Sequence, residues 1–388
     1  MKNGASKNLR VVVGMSGGVD SSVAAALLKQ AGFDVIGIMM KFWSASSADK
    51  KDINRCCSVE SEKLARLVAK HLKIPFYVLN VEKEFKKKVV DYFLTEYKKG
   101  NTPNPCVVCN KEIKFGFLIK KALSLGADFV ATGHYARLRQ GFGGQARLLR
   151  GEDKKKDQSY FLWKLSQSQL KHILFPVGGY TKSEVRKLAK KFKLPTAETP
   201  ESQEVCFVRD TTNNFLKKYL KTKPGKIINT AGKKIGKHNG LWFYTIGQRR
   251  GIEIQQGPWY VVDKNFNKNI LIVSKDKKDL AKKELIAENV NWIVPQKLSR
   301  QGRGSSMAAP SGPINAEVKI RYKSDFAKAK ISKHGKSPSA GSGQVKVIFQ
   351  KKQRAITPGQ SAVFYLPRRS SGAKAGGGKE LLGGGVIR

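Results

Sequence analysis

At 388 residues the chain is long enough for two or three domains and a sizeable core, and an apolar content of 40% excludes wholesale disorder. Lys and Arg number 74 against 29 Asp and Glu, a net charge of +45 that points to a polyanionic partner such as nucleic acid. No apolar run is long enough for a membrane span, and the short basic start at residues 1–10 has no signal-peptide pattern, so no membrane association is expected.

Residues 10–15 read as a buried strand around Val11, Val12 and Val13, followed by a glycine turn. Residues 21–30 carry Val23, Ala24, Leu27 and Leu28 at helical spacing. A strand at 35–40 follows, then a helix at 59–72 with Leu64, Leu67, Val68 and Leu72 on one face. Next come a strand at 76–81 and a basic helix at 82–97 with Phe85, Val89, Phe93 and Leu94 inward. A helix at 111–125 and a strand at 128–132 continue the alternation, and residues 140–145 interrupt a hairpin. Such alternation predicts an α/β, Rossmann-like parallel sheet covered on both faces, with ligands at the carboxyl ends of its strands.

From about residue 210 short strands with turn signals take over, at 226–229, 257–263 and 270–273. From about 284 the pattern is all-β, at 314–322, 344–349 and 361–366, and predicts a small C-terminal barrel. Stretches 300–313, 333–343 and 367–379, rich in Gly, Ser, Ala and basic residues, read as loops or inserts. The expected domains are 1–209, 210–283 and a basic 284–388.

The turn Gly14-Met15-Ser16-Gly17-Gly18-Val19-Asp20-Ser21-Ser22 closes the first strand and opens the first helix. Paired glycines let the backbone bend around an anion, the serines add hydroxyls, and the helix start offers N–H groups and a positive dipole end. It lacks the Gly-x-x-x-x-Gly-Lys of a Walker loop and the Gly-x-Gly-x-x-Gly of a dinucleotide site. Asp20 is placed to hold Mg2+ beside phosphates. The bland alternative is a tight turn with Ser21 as a helix cap.

Residues 101–111 hold Cys106-Val107-Val108-Cys109 in a proline-rigid loop before a helix, where a thiolate is stabilised; Lys111 and Lys114 add charge. Cys206 lies in Glu201-Ser202-Gln203-Glu204-Val205-Cys206-Phe207. Five cysteines at irregular spacing argue against a disulfide framework and for a reducing cytoplasm. No second Cys/His pair at zinc spacing accompanies them, so no structural metal is expected. His134, after Ala131-Thr132-Gly133, reads either as a satisfied strand-end histidine or as a substrate contact. The run Lys154-Lys155-Lys156-Asp157-Gln158 reads as a solvated turn or as an RNA phosphate contact.

The Ser-Gly-Gly-x-Asp-Ser string resembles the ATP-pyrophosphatase signature. Taken with Asn-Thr-Pro-Asn-Pro-Cys-x-x-Cys-Asn-Lys, Ala-Thr-Gly-His-Tyr, Lys-Asp-Gln-Ser-Tyr-Phe-Leu, Glu-Ser-Gln-Glu-Val-Cys-Phe and Thr-Pro-Gly-Gln-Ser-Ala-Val-Phe-Tyr, in that order over about residues 9–366, the chain resembles the bacterial tRNA-specific 2-thiouridylase family. The resemblance implies a monomeric, cytoplasmic enzyme that adenylates uridine O2 in tRNA with ATP and Mg2+ and then transfers sulfur supplied by a sulfur-donor protein.

It further implies that Gly14, Met15, Ser16, Gly17, Gly18, Val19, Asp20, Ser21, Met40 and Gly133 hold ATP. Cys109 resembles the family's nucleophile and Cys206 its persulfide carrier. Asn104, Pro105 and Cys106 would face the target base; some members carry Asp in place of Cys106. His134, Lys156, Asp157, Gln158, Arg321, Tyr322 and Gln360 match tRNA-contacting positions. An alternative route has a [4Fe-4S] cluster on Cys106, Cys109 and Cys206 delivering sulfide. A basic RNA-binding protein without catalysis is the reading from a different class. The inserts and the very high charge depart from the family's usual pattern.

Overall fold

The structure is a computed structural model that describes residues 9–44, 58–140, 144–200, 205–208, 210–252, 254–255, 257–293, 312–335, 343–367 and 379–388. Two compact units divide the chain: Met1–Val90, Pro105–Arg209 and Arg369–Leu381 form one, and Asp91–Asn104, Asp210–Arg368 and Leu382–Arg388 the other.

The first unit is built on the predicted parallel sheet. β1 (Arg10–Gly14) leads into helix α1 (Val19–Gln30), β2 (Asp34–Lys41), α2 (Val59–Leu72) and β3 (Phe76–Asn80). Val11, Val12 and Val13 are fully buried because α1 covers one face of β1 while other packing covers the opposite face. In α2 the buried residues are Ala65, Val68 and Ala69, whereas Leu67 is 52% exposed. Of the predicted face, Val68 is buried and Leu72 packs against the core, while Leu67 is corrected: small residues let the helix lie close to the sheet, and Leu67 lies outside that contact.

A long helical run follows as α3 (Glu82–Phe85), a π-helical stretch Lys86–Val90 and α4 (Asp91–Lys98), the last belonging to the second unit, with Phe85, Val89 and Phe93 buried as predicted. The next begins earlier than expected, with α5 (Pro105–Cys109), a π-helical stretch Asn110–Phe117 and α6 (Leu118–Ser124). Proline is tolerated at the first helical position, so Pro105 opens this helix instead of excluding it. β4 (Phe129–Thr132), the hairpin β5 (Ala136–Gln140) and β6 (Ala146–Arg150), α7 (Gln167–Leu170), β7 (Ile173–Leu174) and α8 (Lys182–Lys191) complete the unit. The sheet order is β3-β2-β1-β4-β7, all pairs parallel, so the order reverses between β1 and β4.

The second unit begins its C-terminal part with α9 (Thr212–Tyr219) and a four-stranded sheet of β8 (Gly225–Asn229), β9 (Lys234–His238), β10 (Tyr260–Asn265) and β11 (Ile270–Ser274), in the order β10-β11-β8-β9. Six strands then close a barrel: β12 (Ala281–Trp292), β13 (Ile314–Lys319), β14 (Ala327–His334), β15 (Gln344–Arg354), β16 (Ser361–Tyr365) and β17 (Leu381–Ile387). Alternation in β13 and β15 helps to fill it. Val345, Val347 and Phe349 point inward from β15, and Ala316 and Val318 from β13.

Lys333 and His334, expected in a loop, extend β14 and pair with Val345 and Gln344. The rest of the predicted 333–343 insert falls mostly outside the described residues, as do most of the 300–313 and 367–379 inserts, Cys56 and Cys57. At Gly383, with φ 157°, a Cβ would collide with the Asn291 carbonyl of β12, so the glycine run lets β17 seal the barrel. Among the described residues no helix is long and apolar enough to cross a membrane.

The alternation in β15 carries a stability prediction. Phe349→Ala should lower the unfolding free energy by about 3–5 kcal/mol, while Gln350→Ala on the exposed face should change it by less than about 0.5 kcal/mol, as read by chemical denaturation.

Candidate active site

The reversal between β1 and β4 is where an open α/β sheet leaves a crevice, and the glycine turn sits there. Gly17 has φ 74°, and a Cβ on it would collide with the Ser61 carbonyl of α2, so the turn passes α2 only as glycine. Gly18 is the N-cap of α1 and makes no side-chain cap. The first N–H groups of a helix have no partner within it, and here no side chain at the cap takes their place. Ser21 Oγ accepts from Ser16 N at 3.2 Å and donates to Gly18 O, while Ser22 Oγ also donates to Gly18 O. Ser21 and Ser22 thereby brace the turn from within, and Ser16 is exposed. From the neighbouring strand, Gly133 lies so close that a Cβ would stand 2.6 Å from the backbone of Asp20 and Ser21. Met15 and Met40 are buried at the ends of β1 and β2.

Asp20 Oδ1 accepts from Tyr135 Oη at 2.7 Å and from Lys182 Nζ at 2.6 Å. The Lys182 side chain is only 11% exposed, so an ammonium is held, largely desolvated, beside the anion-binding turn. The donor set fits a polyphosphate: helix N–H groups, a hydroxyl and a cation. Asp20, expected as a Mg2+ ligand, is paired with Lys182 and Tyr135, and among the described residues no group of three or more His, Cys, Asp or Glu side chains forms a metal site.

Sequence reasoning missed Tyr135 and Lys182. For Lys182 a signal existed. Thr181 and Glu184 form a capping box that makes Lys182 the first residue of α8, where a cation opposes the helix dipole unless a carboxylate offsets it.

Cys106 is half-buried and Cys109 buried within α5. The π-helical stretch behind them leaves carbonyls misaligned for α-helical bonding, and Gln169 Nε2 donates to two of these, Lys111 O at 2.9 Å and Phe115 O at 2.8 Å. Asn110 donates to Phe161 O, and Lys88 pairs with Glu112. Cys206 lies half-buried in a turn next to Phe207, whose ring meets Phe85 edge-on. Among the described residues Cys106, Cys109 and Cys206 are not gathered into a three-ligand metal group in this arrangement, and no step is derived through the cluster.

His134 is buried, its Nδ1 2.7 Å from Thr132 Oγ1 and its ring between Phe115 and Phe175. Burial, reinforced by Lys114, pushes its pKa well below the usual range and keeps the ring neutral. Asp157 turns inward: its carboxylate accepts from Gly151 N, Ser159 N and Arg150 Nε. Gln158 Oε1 accepts from Tyr135 N, and Lys156 stays half-exposed on the turn these bonds shape.

In the second unit, Arg321 donates to Arg354 O, and Tyr322 has the Lys319 ammonium over its ring. Gln360 donates to Thr102 O at 2.8 Å, two residues before Asn104 in the chain.

Three family models match in sequence: a tRNA methyl transferase HUP domain over residues 9–210, a tRNA methyl transferase PRC-barrel domain over 213–275 and an aminomethyltransferase beta-barrel domain over 282–387. A protein of Halothermothrix orenii named tRNA-specific 2-thiouridylase MnmA is 45% identical over 98% of this chain and 99% of its own length. The chain belongs to the tRNA-specific 2-thiouridylase family. Members so named from Clostridioides difficile (43% identical, covering 98% of each chain) and Clostridium perfringens (44%, covering 92% of this chain and 95% of its own) agree.

The buried neutral His134 has a pH consequence. The unfolded state takes up its proton first, so stability is full above the unfolded value near 6.5 and declines as pH falls below it. In urea titrations from pH 7.5 to 5.5, His134→Gln should show a shallower decline than the wild type.

Proposed function

We propose that this chain is a tRNA-uridine 2-sulfurtransferase that uses ATP to replace O2 of the wobble uridine by sulfur. The observation that carries this is near full-length identity with relatives of that name, joined to a phosphate-type turn and a Cys-x-x-Cys helix within one compact unit. The family models' names speak of methyl transfer. A polyphosphate turn with buried and half-buried thiols suits activation by ATP and sulfur chemistry better.

On this reading residues 1–209 form the catalytic domain, 210–283 the central domain and 284–388 the basic barrel. Gly14, Met15, Ser16, Gly17, Gly18, Val19, Asp20 and Ser21, with Met40 and Gly133, hold ATP. Uridine O2 attacks the α-phosphorus and pyrophosphate leaves; the N–H groups of α1 and the Lys182 ammonium offset its charge. C2 now carries AMP as a leaving group. A sulfur-donor protein loads Cys206 as a persulfide, whose terminal sulfur attacks C2 and expels AMP. Cys109 thiolate then attacks the Cys206 sulfur: the S–S bond to the base breaks, sulfur stays on C2, and Cys109 and Cys206 are left as a disulfide that an external thiol reduces. Asn104, Pro105 and Cys106 face the base. Lys156, Gln158, Arg321 and Tyr322 contact tRNA phosphates and bases, Asp157 shaping the turn for Lys156, and the buried His134 supports the tRNA site from within. Mg2+ accompanies ATP on its phosphates, and the enzyme works as a cytoplasmic monomer.

Two experiments test this. Cys109→Ser and Cys206→Ser should each cut thiouridine formation by more than about a thousandfold while tRNA-dependent pyrophosphate release continues. Normal thiolation by either variant would reject the sulfur route. Lys182→Met should slow pyrophosphate release about a hundredfold with tRNA affinity preserved, because the lost cation served the phosphates and not the RNA. Wild-type release by that variant would reject the assignment of Lys182.

A further inference from the structure

The segment that brings the chain to the cysteine helix is held by side chains far from it in sequence. After α4, Gly100 adopts φ 86° and lies flat on the Phe266 ring, where a Cβ would collide with the ring. Lys264 reaches over the same ring and donates from Nζ to Gly100 O and, at 2.9 Å, to Tyr244 O. Thr102 is gripped on three sides. Its N–H donates to Pro358 O at 2.8 Å, its carbonyl accepts from Gln360 Nε2, and its Oγ1 lies 3.1 Å from Thr245 Oγ1. Asn101 is tied back to Glu96 by its backbone N–H and its side-chain amide. All of these residues belong to the second unit.

Packing alone does not fix this segment. A cavity of about 250 Å3 borders it, lined by Lys99, Gly100, Asn101, Lys264, Phe266 and Pro358 among others. A backbone beside such a void has room to shift once its hydrogen bonds are cut. Lys264 is also costly to keep where it is, since burial pushes its pKa down to about 8 even though Asp263 opposes the shift. A buried ammonium that gives two of its three donors to carbonyls of different chain segments acts as a tether.

We propose that Lys264, with Thr245 and Gln360, is a positioning residue that fixes the 100–104 segment, so that the base-facing residue Asn104 at its end is aimed before the uridine arrives. The inference rests on the functional reading above. It also gives Gln360 a role that needs no contact with RNA: its amide acts on the base through Thr102.

The test uses the full chain with tRNA and ATP at saturation in single turnover. Lys264→Met keeps the length and apolar stem but removes the donors. It should slow pyrophosphate release about 10-fold to 100-fold, the scale set by misplacing a reacting group by about 1 Å, with tRNA affinity changed less than about twofold. Hydrogen exchange at the Thr102 amide should quicken in the same variant. Thr245→Val, a milder isosteric change, should show the same split at about threefold to tenfold and serves if Lys264→Met does not fold. A wild-type rate with wild-type Thr102 exchange in the folded variant overturns the proposal. So does a tenfold loss of tRNA affinity with an unchanged saturated rate, which would mark Lys264 as part of an RNA-binding surface. Wild-type protein that releases no pyrophosphate with tRNA refutes the functional reading instead, and Thr102 exchange reports on the tether independently of the reaction.

Discussion

Everything in the first unit is arranged around a helix start that the protein does not cap. Gly18 opens α1 without a side chain to occupy the terminal N–H groups, at the point where the sheet order reverses. Keeping that end open and rigid demands several unusual choices nearby. Gly17 must be glycine to pass α2, Gly133 must be glycine to let β4 approach, and Ser21 and Ser22 spend their hydroxyls inside the turn. Asp20 favours the helix dipole by its charge, and Tyr135 and Lys182 hold its carboxylate in place. A local electrostatic demand thus reaches across the sequence and fixes residues in four separate elements and turns.

The second unit solves a different problem. In β14 and β15 of its barrel inward apolar side chains alternate with lysines, which puts basic residues on the outside of an apolar core. Such a surface suits a polyanion bound mainly through its backbone phosphates, with affinity that weakens as salt rises. Arg321 and Tyr322 lie on the turn after β13, where a guanidinium and an aromatic face are offered together.

The fold was largely legible because its strongest elements speak locally. Three consecutive valines announce β1, and the period of 3.6 in residues 82–97 announces a helix even though a π-helical stretch interrupts it. Where inward positions are small, the signal fades. β14 places Ala329 and Ile331 inside between lysines and was not foreseen, and β17 hides its strand character behind three glycines. In the site, the glycine turn and the cysteine helix were visible as compact strings. Lys182 was not, since it stands 162 residues from Asp20 and only folding makes them neighbours. The inward turn of Asp157 was equally hidden, because a run of lysines around an aspartate reads as solvated whichever way the carboxylate points.

The π-helical stretch Asn110–Phe117 behaves as an α-helix with surplus chain. Each residue of an α-helix turns its successor by about 100°, so deleting one residue there would let the segment relax to ordinary α-helix while rotating Cys106 and Cys109 about 100° against the buried face of Leu118, Ile119 and Ala122. The aim of both thiols is therefore encoded as a length, and Gln169 stabilises that length by bonding two carbonyls of the wider coil.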